Sequence, residues 1–112
     1  MNGKTPVIRL VLSTFADEEM AGAAVRALLE ARLIACGSMI PRVRSLYLWK
    51  GVLEESGEVM VLFKTDREMA SLCMKRLEEI HPYEVPEIIL LEPEAVSAPY
   101  EAWIRESLRK PC

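Results

Sequence analysis

The feature that most constrains this chain is a repeated change of hydrophobic period. "PVIRLVLST" (Pro6 to Thr14) is apolar and β-branched, as a buried strand requires. In Asp17 to Leu33 the pattern switches, and Ala21, Ala24, Val25, Leu28 and Ala31 fall at helical spacing. Acids fill the first turn of that segment, where the helix dipole favours them, and Thr14 or Asp17 is the expected cap. The period then returns to two: Val43, Ser45, Tyr47 and Trp49 alternate with Arg44, Leu46 and Leu48. Lys50-Gly51 predicts a hairpin turn, because glycine accepts positive φ, and Glu58 to Thr65 predicts a third strand. Thr65-Asp66-Arg67-Glu68 matches the capping-box pattern, ahead of a helical stripe of Met69, Leu72, Cys73, Leu77 and Ile80. That helix must end near His81, since Pro82 disfavours helical geometry in the residue before it. A short strand in Pro86 to Pro93 and a last helix in Ser97 to Leu108 complete the order, with Tyr100, Trp103, Ile104 and Leu108 on one side of the helix.

The order β-α-β-β-α-β plus a C-terminal helix predicts an α+β fold of the ferredoxin-like, split-βαβ kind. Right-handed crossovers would set the first strand inside the sheet and both earlier helices on one face. Pro41 sits badly in a central strand, so its strand should lie at an edge or carry a bulge. The extended middle hairpin then has an unpaired outer edge. Arg42 and Arg44 blunt it, whereas Tyr47, Leu48 and Trp49 invite a partner, and assembly is the favoured reading.

With 112 residues, half of them hydrophobic, the expectation is one domain over 1–112 with a real core. The net charge of -3 is interspersed and lacks a basic block, which argues against nucleic acid. No apolar run approaches the roughly 18 to 20 residues of a membrane span, and no signal peptide is legible, so a cytoplasmic location is expected. The three cysteines, Cys36, Cys73 and Cys112, are widely spaced and odd in number, unlike a disulfide framework. The six methionines are scattered and read as core filler. No nucleophile-base motif, Walker loop or G-x-G-x-x-G is present, so an enzyme is not the expectation.

The densest run of chemistry is "HPYEVPE", His81 to Glu87, which holds the single histidine. His81 reads either as a metal ligand or as a cap for a helix C-terminus. Glu84 and Glu87 offer oxygen ligands for a divalent cation, or are simply solvated. Cys36 is a thiolate candidate or a small buried hydrophobe, and Cys73 belongs to a core stripe. Tyr47 and Trp49 share a strand face and line a cleft or pack an interface. Lys64 precedes a helix N-terminus and either binds an anion or reaches solvent. A ligand set of His and carboxylates suits zinc or copper(II) better than copper(I).

The pieces "VLSTFADEE", "ARLIACGSMIP", "SLYLWKG", "LFKT", "IHPYEVPEI" and "YEAWI", in this order, resemble the CutA family of divalent-cation tolerance proteins. The resemblance runs from about Ile8 to Leu108. It implies a homotrimer arranged like PII signalling proteins, with clefts between subunits that take a divalent cation, copper or zinc, or a small ligand or protein partner. It implies metal ligands at His81 and Cys36, to which the reading of the loop adds Glu84 and Glu87, with Lys64, Tyr83, Trp49 and Tyr47 about a ligand. Family members commonly carry proline where Ala16 stands, Val-Asn where Gly37-Ser38 stands, and in some cases cysteine where Ser13 stands. Of a cysteine-rich copper site, only Cys36 and His81 carry over.

Overall fold

The computed structural model describes residues 6–109, so the expectation for Cys112 lies outside the described residues. The elements are β1 (Ile8–Phe15), α1 (Glu18–Glu30), β2 (Cys36–Trp49), β3 (Val52–Asp66), α2 (Ala70–Ile80), β4 (Ile88–Leu91) and α3 (Ala98–Arg109). The sheet order is β2-β3-β1-β4, and every pairing is antiparallel. The fold is therefore mixed α+β, a four-stranded sheet with three helices, and β1 lies inside the sheet as the crossover argument requires.

Strand pleat assigns the two faces. Val11 and Phe15 of β1 and Val59, Val61 and Phe63 of β3 point to one side, where they are buried against Ala21, Ala24, Val25 and Leu28 of α1 and Cys73 and Leu77 of α2. Burial pushes the Cys73 thiol up to about 12, so it packs as a neutral hydrophobe. A smaller cluster, Ile8, Ile104 and Leu108, seats α3 at the start of β1. The opposite sheet face carries Leu10, Leu12, Met60 and Leu62, with Ile40, Ile89 and Leu91 more exposed beside them.

Several local expectations hold. Asp17 caps α1, its Oδ1 accepting from the Met20 N–H at 2.8 Å. Lys50 and Gly51 both take positive φ, 53° and 81°, as a two-residue hairpin turn of the mirror-image type demands. Pro41 lies on the edge strand, and a register shift between Ile40 and Val43 marks a bulge there, with Arg42 at φ 62°. α2 stops at Ile80, and His81 is extended (φ -69°, ψ 134°), as a residue before proline should be.

Others are corrected. Thr65 is not the cap of α2. Its hydroxyl donates to the Leu33 carbonyl at 2.7 Å, while Asp66 Oδ1 accepts from the N–H groups of Glu68 and Met69. Leu72 leaves the buried stripe and is exposed, because Ala70, Cys73 and Leu77 already fill the narrow seam α2 offers. β3 begins at Val52 rather than Glu58. The polar residues between are held by pairing across the hairpin, not by burial.

Candidate binding cleft

The tight turn fixes what faces what. With Trp49 opposite Val52, Tyr47 falls opposite Glu54, Ser45 opposite Ser56 and Val43 opposite Glu58. One side of the projecting hairpin thus carries Tyr47 and Trp49 on β2 and Glu54 and Glu58 on β3, and this side continues the open face of the sheet. The segment between α2 and β4 folds toward it and supplies Tyr83, Val85 and Glu87. Together they enclose an open cleft of about 610 Å3.

The loop is tied down at several points. Tyr83 donates its phenol proton to Glu58 Oε2 at 3.1 Å, and Ser45 donates to Glu58 Oε1 at 2.9 Å. Glu58 therefore bridges the hairpin and the loop. Partial burial, and then the hydrogen bond to Glu58, push the Tyr83 phenol up to about 12, so it remains a donor at any ordinary pH. Behind Tyr83 sits His81, only 7% exposed, stacked on Phe15 with ring centroids 4.4 Å apart. Its Nε2 donates to the Thr14 carbonyl at 2.9 Å, and its Nδ1 accepts from the Tyr83 N–H at 3.1 Å. That pattern is the neutral tautomer with the proton on Nε2. Burial lowers the imidazole from its ordinary value, partly opposed by the bond to Thr14 and by Glu58.

The residues singled out from the sequence thus divide. Tyr47, Trp49, Tyr83 and Glu87 meet in the cleft. Glu84 is on the same loop, exposed and outside the cleft lining. His81 stands behind the cleft with both ring nitrogens engaged, which leaves no lone pair for a metal while the loop keeps this shape. Cys36 and Lys64 pair with each other across β2 and β3, opposite Leu10, whereas His81 bonds Thr14. Four residues of strand separate the two places, about 13 Å. Lys64 Nζ instead lies 5.8 Å from the centre of the Tyr100 ring. Among the described residues no group of three or more His, Cys, Asp or Glu side chains is disposed to hold a metal ion. The combined set His81, Cys36, Glu84 and Glu87 does not fit one within a single chain, because the fold spends the imidazole on its own backbone and sends the thiol elsewhere. Glu54 and Glu58 escaped the sequence reading. The signal was present, since a two-residue turn at Lys50-Gly51 dictates both pairings.

The fold matches a known class of small α+β proteins named for divalent-ion tolerance. The family model described as "CutA1 divalent ion tolerance protein" matches residues 9–107. The chain belongs to the CutA family. It is 37% identical over 100 residues to the divalent-cation tolerance protein CutA of Pectobacterium atrosepticum, covering 89% of this chain and 91% of that one. It is 43% identical over 99 residues to the Thermotoga maritima protein of the same description, covering 88% and 97%. The structure of CutA from Synechococcus elongatus superposes with a TM-score of 0.88 at 37% identity, over 94% of this chain and 93% of that one.

Proposed function

We propose that this chain is a cytoplasmic divalent-cation tolerance protein that works as a homotrimer of ferredoxin-like subunits. It binds copper, zinc or a small cationic ligand in clefts finished by a neighbouring copy. The observation that carries this reading is the hairpin cleft, where Glu54, Glu58 and Glu87 stand among Tyr47, Trp49 and Tyr83 and one side is left open. Carboxylate oxygens on an aromatic wall suit a divalent or organic cation. One chain offers too few converging donors, so a second copy must bring the rest. The open sheet face supports assembly, and so do Leu46, Leu48, Trp49 and Leu53, which are 58%, 71%, 60% and 66% exposed on the hairpin. The family is named for cation tolerance and not for a reaction, and no catalytic role is assigned to any residue.

Titration calorimetry with copper(II) and zinc, with mass by light scattering on the same samples, tests this. Saturable binding by a trimer, weakened at least tenfold in a Glu54→Gln, Glu87→Gln double variant that stays trimeric, is the expected result. In His81→Ala the loss should follow the loop: partial, and restored in part by His81→Gln, which keeps a donor toward Thr14. Binding that ignores the carboxylates and vanishes in both His81 variants would return the metal to the imidazole. Weak binding indifferent to every variant would favour a trimeric scaffold.

A further inference from the structure

We propose a second binding site at the other end of β1, which takes a small organic oxyanion, a carboxylate or a phosphate ester, between Arg67 and Arg105. A pocket of about 710 Å3 lies there, with Val7, Arg67, Glu94, Val96, Glu101 and Arg105 around it. It is assembled from four parts of the chain: the approach to β1, the turn before α2, the segment before α3, and α3 itself. Its floor is firm. Ile8, Ile104 and Leu108 pack beneath it with Val7, Met69 and Val96. Its walls are tied together through one residue: the Arg67 N–H donates to the Val7 carbonyl at 2.8 Å, and the Val7 N–H donates to Glu101 Oε2 at 2.7 Å.

The charges around this pocket, two arginines and two glutamates, balance in number but are not paired with one another. Arg67 is flanked in sequence by Asp66 and Glu68, yet both acids face Arg109 instead, at 3.8 and 2.8 Å. Asp66 also caps α2. Glu101 is engaged by the Val7 N–H. Among the described residues, neither Arg67 nor Arg105 has a carboxylate within ion-pair distance. Two guanidinium groups without an ion-pair partner on one pocket can engage an oxyanion, since each offers a planar fork of donors that matches carboxylate or phosphate oxygens. The volume is that of a small-molecule site. Glu94 on the same wall selects further: it repels a polyanion and favours a ligand with an ammonium group at its other end. The site is independent of the cleft on the hairpin, which lies beyond the whole length of β1.

The test is a proton–nitrogen correlation titration of the full chain with β-alanine, phosphoethanolamine and ethyl phosphate. Saturable shifts at the Arg67 and Arg105 side chains and the Val7 amide are expected with β-alanine or phosphoethanolamine, and whichever binds names the head group. Ethyl phosphate, lacking the ammonium, should bind less well than phosphoethanolamine. Affinity should fall at least tenfold in Arg67→Gln and in Arg105→Gln, and stay unchanged in Arg26→Gln on the exposed side of α1. Both arginines are exposed, so their variants should keep the wild-type spectrum elsewhere. Shifts that never saturate, or saturate equally in both arginine variants, would overturn the proposal.

Discussion

His81 shows how one side chain can satisfy a sequence motif and still mean something different in the fold. A single histidine next to acids suggests coordination, but here the ring is buried, stacked on Phe15 and hydrogen-bonded at both nitrogens. It caps no carbonyl of α2 with its side chain either. It reaches across to β1, and it shapes the loop by accepting from Tyr83. The lowered proton affinity of the folded imidazole has a consequence of definite sign. The unfolded chain takes up a proton first, near the ordinary value of about 6.5. The stability His81 contributes is therefore present above that pH and is lost as pH falls from there to the lower folded value. Urea midpoints of wild type and His81→Gln between pH 8 and 5 should converge as the pH drops. A gap that widened on acidification would mean the folded ring holds its proton more tightly than the unfolded one.

At the scale of elements, the order, the turn, the bulge and most boundaries were legible because each is a local rule. Two positive-φ residues make the hairpin, Pro41 forbids a regular ladder, and Pro82 stops a helix. What was not legible depended on distant partners. Thr65 matched a capping pattern, but Leu33, 32 positions away, claims its hydroxyl. Lys64 ended an apolar strand, and only the placement of α3 shows that it meets Tyr100. Cys36 and His81 both resemble ligands, but the register of β1 against β3 keeps them apart. The packing of β2 on α1 gives a clean test of register. A Cβ at Gly37 would lie 2.8 Å from both methyl carbons of Val25. Gly37→Ala should therefore destabilise by about 1–3 kcal/mol. Adding Val25→Ala should recover part of that loss rather than sum with it. Denaturant unfolding of the two single variants and the double variant measures the coupling.

For the whole molecule, the dimensions are informative. The radius of gyration is 15.3 Å and the extents are 50 × 34 × 22 Å, whereas a compact chain of this length would have a radius near about 13 Å. The excess is the hairpin, which stands beyond the sheet with apolar residues on its surface. On the proposed trimer, Leu12→Glu in the open sheet face should shift the mass by light scattering from three chains toward one, while the helix-covered core keeps the subunit folded. A trimer undisturbed by that charge would place the interface elsewhere. The bulge at Pro41 and Arg42 divides the β2–β3 ladder into two stretches of rungs, Cys36 to Ile40 and Val43 to Trp49. The first is backed by α1 and β1; the second has its own partner strand and, at its base, the Tyr83 loop. These two stretches are two clocks for amide exchange. In a lone chain the outer one runs fast and the inner one slow. Once neighbours close over the hairpin the two should keep the same time, so a deuterium trace of one strand reports whether the protein is assembled.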